Sequence, residues 1–400
     1  MKILHLIASA NLAEGGPIEH AVRTGEVLSG RGHIQDFATI DPPNFAPNKE
    51  IPAKVFALGA EKSFGNGPFA KVARKVNYAP NAIFWLRENA PRYDVVIVSG
   101  LWNYATVAAT RALAGGPTPY VVFTHGMLDP WFKKKYPLKS ALKQLLWFFN
   151  EGVLLRNADF VLFTCEEERH LGRQSYWPYR ANERVVAFGT ADAAPDASAQ
   201  SSAFRAAVPS LAGRRFILFL SRIHEKKGID NLIEAFHSIA ADFADLDLVI
   251  AGPDPSGLQV TLQRRVDKLG LAQRVHWPGM LKGNVKWGAF RECEAFILPS
   301  HQENFGIVIA EAMACAKPVL ISNKVNIWRE IEDDDAGFVA PDDRAGTISL
   351  LNRLLRMDKS ARADMGQRAR ASFLSRFHIE RAVDDLESVL LEASLRILPK

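Results

Sequence analysis

Short apolar runs alternate with amphipathic stretches along most of this chain. The runs predict buried strands, because Val, Ile and Phe dominate them and each has the length of a strand. Seven lie in the first half, at residues 1–8, 36–40, 53–58, 93–100, 119–126, 158–164 and 184–189. Six follow in the second half, at residues 215–221, 246–252, 274–279, 294–300, 317–322 and 336–341. Near-continuous apolar strands separated by helices indicate parallel sheets covered on both faces.

The intervening stretches predict amphipathic helices, among them Ile18–Leu28, Phe69–Glu88 and Ser140–Arg156. A last helix is predicted at about Ile379–Ile397. One of its faces carries an apolar stripe that must pack on another element, formed by Val383, Leu386, Leu390 and Leu391.

The segment 190–203, TADAAPDASAQSSA, is small, polar and contains proline, which is typical of a linker. The strand pattern restarts after it. We therefore predict an α/β protein of two Rossmann-like domains, residues 1–192 and 193–375, followed by a C-terminal helical segment, 376–400.

Composition narrows the class of protein. The three cysteines are far apart, which argues against a disulfide framework or a zinc site and favours a cytoplasmic location. The N-terminal run is interpreted as a first strand and not as a signal peptide, and no apolar stretch approaches the roughly 20 residues of a membrane span. The net charge of +5 favours polyanionic partners. Nucleic acid is not expected, since no long basic run or RNA-binding signature occurs.

Two carboxylates stand out in HQENFGIVIAEAMACAKP, residues 301–318. On one helix, Glu303 and Glu311 would be about 12 Å apart along the axis and about 80° apart around it, and would not converge. We instead predict a loop over 301–304 and a helix from about Phe305 to Ala316. Glu303 then lies at the start of this helix and Glu311 in its second turn.

A helix that begins there offers unpaired backbone N–H groups to a phosphate or to sugar oxygens. The residues concerned are Phe305, Gly306 and Ile307, and Asn304 just before them is a further donor-binding candidate. Glu311 could accept hydrogen bonds from the hydroxyls of a ribose. The alternative is that Glu303 is an ordinary helix-start acid and Glu311 faces solvent. Solvent exposure of Glu311 is disfavoured, because its neighbours in IVIAEAMA are apolar or small. A carboxylate among them needs a partner or a ligand.

Two cations follow the first strand of the second domain, in RFILFLSRIHEKKGIDN. Arg222 and Lys227 could neutralise a diphosphate there, and such charge would stabilise a nucleoside diphosphate as it leaves. Ordinary solvated loop charge is the alternative, and it is our interpretation of Lys226.

Three features of the first domain admit two interpretations each. Gly15 and Gly16 follow the first strand and allow close approach of a ligand, but a plain tight turn is equally compatible, and the G-x-G-x-x-G pattern of NAD-binding proteins is missing. His125 ends a strand, and a lone histidine is more often structural than functional. The stretch 131–149 combines five lysines with aromatic residues and leucines. It suits either an anionic membrane surface or a solvated helix face.

The segment ENFGIVIAEAMACAKPVLIS resembles the signature of the retaining family-4 glycosyltransferases, and the resemblance extends over nearly the whole chain. HGMLDPW (125–131) and CEEERH (165–170) resemble the polysaccharide-biosynthesis branch. The resemblance implies the GT-B fold, in which two Rossmann-like domains face a cleft. It implies an acceptor-binding first domain, a second domain that binds the nucleotide-sugar, and a C-terminal helix that packs back on the first domain.

The resemblance also implies roles for the candidate residues. Glu303 would lie beside the transferred sugar, Glu311 would bind the donor ribose, and Arg222 and Lys227 would bind the donor phosphates. The glycine loop at 15–16 would lie beside the diphosphate and the acceptor. His125 would donate or accept a hydrogen bond with the transferred sugar, without abstracting a proton.

The expected function is transfer of a hexose from a nucleotide-diphosphate sugar, GDP-mannose first, to a saccharide or lipid-linked saccharide in exopolysaccharide or O-antigen assembly. The location would be cytoplasmic, peripheral on the inner face of the membrane. We expect no cofactor and no metal, and we interpret the acids at 245–247 and 333–335 as solvated turn residues. The alternatives are a GT-B phosphorylase, a nucleotide-sugar epimerase, and a non-catalytic scaffold.

Overall fold

The structure is a computed structural model that describes residues 1–12, 15–48, 51–60, 77–211 and 213–395. The described residues form two compact units. The first comprises Met1–Phe188 together with Ile379–Lys400, and the second comprises Gly189–His378. The units therefore divide at Phe188 and His378, where the sequence predicted boundaries at 192 and 375.

The first unit is built on a seven-stranded parallel sheet with the strand order β3-β2-β1-β4-β5-β6-β7. Its strands are β1 Lys2–Ile7, β2 Ile34–Thr39, β3 Val55–Ala57, β4 Val95–Ser99, β5 Tyr120–Phe123, β6 Phe160–Phe163 and β7 Glu183–Val185. Its α-helices are α1 Gly16–Gly30, α2 Asn81–Asn89, α3 Tyr104–Leu113, α4 Trp131–Lys135, α5 Pro137–Phe149, α6 Glu151–Asn157 and α7 Glu166–Gly172. The central strands are fully buried, which explains their continuous apolar runs.

The second unit has a six-stranded parallel sheet in the order β10-β9-β8-β11-β12-β13. Its strands are β8 Arg215–Leu220, β9 Leu246–Ala251, β10 Val275–Gly279, β11 Ala295–Leu298, β12 Val319–Ser322 and β13 Gly337–Ala340. Its α-helices are α8 Ala197–Ala207, α9 Ile229–Ile239, α10 Leu258–Lys268, α11 Gly283–Glu292, α12 Ile307–Ala314, α13 Trp328–Asp333, α14 Arg344–Leu355 and α15 Lys359–Ser372. The last helix of the chain is α16, Ile379–Leu395.

The predicted fold class is confirmed, because each of the thirteen strands overlaps one of the predicted apolar runs. In each sheet the strand order reverses once, between β1 and β4 in the first unit and between β8 and β11 in the second. Such a switch point leaves a crevice at the carboxyl ends of the strands, where doubly wound sheets bind their ligands.

Two of the helix predictions require correction, and part of the second lies outside the described residues. The predicted helix Ser140–Arg156 is two helices, α5 and α6, because the chain breaks at Asn150 with φ −137° and ψ −84°. Residues 69–76 of the predicted helix Phe69–Glu88 lie outside the described residues, and the described part is helical only from Asn81.

The predicted linker 190–203 is also only partly correct, because its second half is the start of α8. Asp196 caps this helix by accepting a hydrogen bond from the backbone N–H of Ala199 at 2.9 Å. The helix packs so closely on α11 that a Cβ at Gly288 would lie 2.1 Å from the carbonyl oxygen of Gln200. The close contact therefore requires glycine at position 288, while the buried side chains of α8 are Gln200 and Phe204.

The C-terminal helix α16 covers the sheet of the first unit. Val383, Leu386 and Leu390 are buried in one apolar cluster with residues of β1, β4, β5 and β6. The prediction for Leu391 was wrong, since this side chain is exposed and Val389 and Ala393 complete the buried stripe. Residues 396–397, also predicted to be helical, lie outside the described residues.

The prediction of a solvated turn was wrong for Asp247. Its carboxylate is fully buried in β9 and contacts the Arg214 and Arg274 guanidinium groups and the His276 ring, each at 2.9 Å. These partners come from elements that the sequence does not place next to β9. Among the described residues, no helix combines the length and the apolar character needed to span a membrane.

Candidate functional site

Lys227 and Glu303 come together at the switch point of the second sheet. Lys227 follows β8 and Glu303 follows β11, which are neighbours in the sheet. The Lys227 ammonium group donates a hydrogen bond to the Glu303 carboxylate. Both side chains are largely buried, so the pair is shielded from solvent. At this edge of the sheet, the ammonium group can bind an anionic part of a ligand and the carboxylate can accept hydrogen bonds from its hydroxyl groups.

The loop after β8 positions Lys227 through its backbone. Glu225–Lys227 form one turn of 3₁₀ helix, which His224 caps by accepting a hydrogen bond from the backbone N–H of Lys226 at 3.2 Å. The turn ends at Gly228, whose φ is 65°. A Cβ there would lie 2.2 Å from the Pro299 carbonyl oxygen, so only glycine allows the loops after β8 and β11 to approach this closely.

Arg222 is exposed in the same loop. Within the part of the chain that the structure describes, its side chain forms neither a hydrogen bond nor an ion pair. The Arg222 guanidinium group is therefore available to an anion. The backbone next to Arg222 is held by the loop after β9, since a Cβ at Gly252 would lie 1.9 Å from the Ser221 carbonyl oxygen.

The loop that carries Glu303 is held by hydrogen bonds to the segment after β12. The backbone N–H of Glu303 donates to the Lys324 carbonyl at 3.0 Å, and its carbonyl accepts from the Asn326 N–H at 3.0 Å. The Asn304 side-chain oxygen accepts a hydrogen bond from the Asn326 amide at 3.1 Å. The loop predicted at 301–304 is thus present with a defined conformation.

The helix after this loop is shorter than predicted. It begins at Ile307 and not at Phe305, because Gly306 is its N-cap with φ 73°, and it ends at Ala314. The Phe305 ring is buried against the Phe377 ring, with centroids 5.6 Å apart, so this side chain belongs to the core. Of the predicted N–H donors, Ile307 lies in the first turn, while Phe305 precedes the helix.

Glu311 lies in the second turn of α12, as predicted, and is buried. The prediction that it needs a partner is met by Lys286 of α11, whose ammonium group donates to one carboxylate oxygen at 2.7 Å. Lys286 also lies over the Trp287 ring, 4.9 Å from its centroid. Lys286 was not singled out from the sequence, because its contact with Glu311 depends on how α11 packs beside α12.

Gly15 and Gly16 connect β1 to α1 at the switch point of the first sheet. Gly15 is the N-cap with φ 78°, and Gly16 is the first residue of the helix. A Cβ added at either position would meet no other atom within 4 Å among the described residues. As far as the described residues show, the space beside Gly15 and Gly16 at the amino end of α1 is open.

His125 follows β5 and forms part of a chain of polar groups. Its Nε2 lies 3.2 Å from the Ser99 hydroxyl, which lies 2.7 Å from Nε2 of His5. Burial lowers the pKa of His125 to about 4. Burial and the neighbouring His125 lower the pKa of His5 to about 3. Both rings are therefore neutral at pH 7.

Glu168 fixes the backbone on both sides of His125. One carboxylate oxygen accepts hydrogen bonds from the Thr124 hydroxyl and the Gly126 N–H, each at 2.6 Å. The other accepts from the backbone N–H and the hydroxyl of Thr164, each at 2.7 Å. This arrangement holds His125 at a φ of 47°, a conformation that non-glycine residues rarely adopt. Glu168 was not singled out from the sequence, although it lies in CEEERH.

Two protein families match the two units. Residues 15–189 match the family described as "Glycosyl transferase 4-like domain", and residues 201–372 match "Glycosyl transferases group 1". The chain is 28% identical over 182 residues to an alpha-D-kanosaminyltransferase of Streptomyces kanamyceticus. The matched region covers 46% of this chain and 47% of that protein. The chain spans about half the length of the curated relatives it matches first, between 47% and 59%.

Solved structures share the whole fold. The sucrose-phosphate synthase of Thermosynechococcus elongatus superimposes with a TM-score of 0.76 at 18% identity, and 98% of each chain is covered. The Anabaena protein HepE, solved in complex with UDP and glucose, gives a TM-score of 0.73 at 21% identity, covering 98% of this chain and 100% of that one. At such identities these likenesses establish the fold alone.

Each unit contains a parallel sheet of the GT-B type, and the sequence of each unit matches a glycosyltransferase family. These two observations define the class of protein as a glycosyltransferase. The chain belongs to the family-4 glycosyltransferases of the GT-B fold.

Proposed function

We propose that this protein is a retaining glycosyltransferase that moves a hexose from a nucleotide-diphosphate sugar to an acceptor hydroxyl. The observation that carries the proposal is the Lys227–Glu303 pair beside the exposed Arg222, at the switch point of the second sheet. The donor diphosphate would bind Arg222 and Lys227. The cations would stabilise the nucleoside diphosphate as the glycosidic bond breaks.

Donor binding would also change the partner of Glu303. Once a phosphate oxygen takes over hydrogen bonds of the Lys227 ammonium group, the Glu303 carboxylate can turn toward the transferred sugar. There it can accept hydroxyl hydrogen bonds or stabilise positive charge that develops at the anomeric carbon. The ion pair therefore holds the site ready when no donor is bound.

Glu311 would bind the donor ribose. Lys286 occupies one of its carboxylate oxygens, and a carboxylate has enough lone pairs to accept further hydrogen bonds from two vicinal hydroxyls. Lys286 also offsets the charge of Glu311, so the buried carboxylate does not repel the nearby diphosphate.

His125 would hydrogen-bond the sugar. A ring with a pKa of about 4 is a weak base at neutral pH, which supports positioning over proton abstraction. In the retaining reaction we propose, the acceptor attacks on the face of the leaving group, and a donor phosphate oxygen takes its proton. Because Arg222 and Lys227 supply the positive charge, the reaction would need no metal ion and no cofactor.

A thermal-shift screen of GDP-, UDP- and ADP-sugars tests donor binding. We propose GDP-mannose first, and UDP-glucose is its main competitor because HepE was solved with UDP and glucose. A donor at about 100 times its Kd should stabilise the fold by about 2.7 kcal/mol. No stabilisation by any sugar nucleotide, or an equal shift in the Arg222→Ala variant, would contradict the assignment.

The acceptor we propose is a saccharide or lipid-linked saccharide in exopolysaccharide or O-antigen assembly, reached from the cytoplasmic side of the membrane. The product assay must detect free nucleoside diphosphate together with a lengthened acceptor, and NMR must show the donor's anomeric configuration retained. A phosphorylase would release a sugar phosphate, an epimerase a changed sugar nucleotide, and a scaffold neither. Activity that chelators abolish would contradict metal independence.

A further inference from the structure

We propose that helix α5 and the residue Trp177 form a surface that inserts into the interface of an anionic lipid bilayer. The proposal extends the proposed function, which includes a membrane-linked acceptor, but it stands on contacts and exposures of the first unit alone. We call this surface the α5 face. It consists of Leu138, Leu142, Leu145, Phe149 and Trp177.

The apolar stripe of α5 points away from the core. Leu138, Leu142, Leu145 and Phe149 are spaced i, i+4, i+7 and i+11, so they fall within about 60° of one another around the helix. They are 55–88% exposed. In a helix that only covers its own domain, such a stripe faces inward.

The opposite side of α5 attaches the helix to the first unit. Ser140 and Trp147 are its buried residues, and the Trp147 indole N–H donates to the Pro178 carbonyl at 2.8 Å. The backbone N–H of Trp177 donates to the Gln144 side-chain oxygen at 3.1 Å. Trp177 is therefore held beside the stripe while 74% of its surface is exposed. An anchored, exposed indole is typical of a residue at a membrane interface.

The charge of the segment identifies the partner as anionic. Residues 131–149 contain five lysines and no acidic residue. The whole chain has 49 basic and 44 acidic residues, so removing these five lysines leaves 44 of each. The entire formal excess is thus equal to the charge of this one segment. Such a cluster attracts acidic lipid headgroups.

A small basic pocket lies next to the α5 face. It has a volume of about 220 Å³ and is lined by residues that include Arg156, Arg180 and Phe148. Both arginines are exposed, and neither forms an ion pair with any residue that the structure describes. Two guanidinium groups beside an apolar wall suit the phosphate of a lipid headgroup whose chains lie along the stripe.

A second copy of the chain fits the same surface less well. It would bring two clusters of five lysines together without acidic partners within the segment. A bilayer instead accepts leucine and phenylalanine below the headgroups, while lysine stems extend to the phosphates.

Sedimentation of the 400-residue chain with vesicles, without donor or acceptor, tests the proposal. We expect binding to vesicles of phosphatidylcholine with phosphatidylglycerol, weaker binding to phosphatidylcholine alone, and release at high salt. Leu142→Glu should weaken binding at least about tenfold. Its control is Leu374→Glu, at an exposed leucine of the second unit. Lys139→Gln should weaken binding about fivefold, with the exposed Lys268→Gln as its control.

Three results would overturn the proposal. They are equal binding of the Leu142→Glu variant, equal binding to both kinds of vesicle, and a dimer in solution that Leu142→Glu dissociates without lipid. The last result would identify the α5 face as an interface between copies. Donor binding in the thermal-shift screen is independent of these measurements, so its failure would contradict the proposed function and leave the membrane surface in place.

Discussion

At the scale of single residues, the Lys227–Glu303 contact ties two loops of the second unit into one site. The sequence places each residue after a strand, but the contact depends on β8 and β11 being neighbours, which follows from the topology. Lys226 lies next to Lys227 and contacts Gln302 instead, at 3.4 Å. This neighbour provides a matched comparison of two lysines in one loop.

We predict that Lys227→Ala lowers kcat/KM by about 10²- to 10³-fold, because it removes the positive charge that we propose stabilises the leaving diphosphate. Lys226→Ala should retain nearly full activity. The measurement is release of nucleoside diphosphate at varied donor concentration. Similar losses in the two variants would show that loop structure, and not the Lys227 charge, is what activity requires.

The buried histidines give a second residue-scale prediction. His5 and His125 have pKa values of about 3 and 4, below the ordinary value of 6.5, because burial disfavours the charged ring. The unfolded chain therefore binds more protons than the folded chain between pH 6.5 and 4. The stability that the two neutral histidines contribute is therefore fully present above this window and is lost as the pH falls through it.

We expect each histidine to reduce the free energy of unfolding by about 1–2 kcal/mol between pH 7 and pH 5. Urea unfolding at several pH values measures this. The His125→Gln variant should show a shallower pH dependence than the unaltered chain, whatever its stability at pH 7. An unchanged slope would mean that His125 is accessible to protons in the folded state.

At the scale of elements, three helices of the second unit, α9, α10 and α12, have an N-cap glycine with positive φ, and the last two form a matched pair. Gly306 caps α12 at φ 73°, and Gly257 caps α10 at φ 71°. A Cβ at Gly257 meets no atom within 4 Å among the described residues, whereas one at Gly306 would lie 2.8 Å from Ile309 and 3.2 Å from Cγ of Glu303. The two positions share backbone strain and differ in their contact with the site.

Gly257→Ala should cost about 1–2 kcal/mol of stability through the left-handed backbone and leave kcat/KM unchanged. Gly306→Ala should cost at least as much and also lower kcat/KM by about 10- to 100-fold, because the added carbon displaces the Glu303 side chain. Chemical denaturation and steady-state kinetics on both variants separate the two effects. Full activity in Gly306→Ala would show that the position of Glu303 tolerates this shift.

Continuous apolar runs allowed every strand to be predicted, because a doubly covered parallel sheet leaves few polar positions. The loops after those strands then located Lys227 and Glu303. Lys286 and Glu168 could not be found this way, because each side chain reaches its partner through packing between elements. The second half of the predicted linker 190–203 was misassigned for another reason, since alanine is a strong helix former as well as a common residue of linkers.

At the scale of the whole molecule, the chain crosses from the second unit back to the first at His378. Helix α16 therefore belongs to the core of a unit whose other elements precede Gly189. Leu390 is fully buried in that core, while the adjacent Leu391 is 42% exposed. The stability of the first unit thus depends on residues that follow the second unit in the sequence.

We predict that Leu390→Ala lowers the stability of the first unit by about 2–5 kcal/mol, through lost burial and a cavity under the sheet. Leu391→Ala should change it by less than about 0.5 kcal/mol. Hydrogen exchange followed by mass spectrometry identifies the unit affected: in Leu390→Ala, peptides of β1, β4 and β5 should exchange faster, and those of β8 and β9 should not. The proposed donor-binding residues all lie in the second unit: Arg222, Lys227, Glu303 and Glu311. A bound donor should therefore still slow exchange in the peptides of β8 and β9 of the Leu390→Ala variant. Equal acceleration in both sheets would instead mean that α16 supports the folding of the chain as a single cooperative unit.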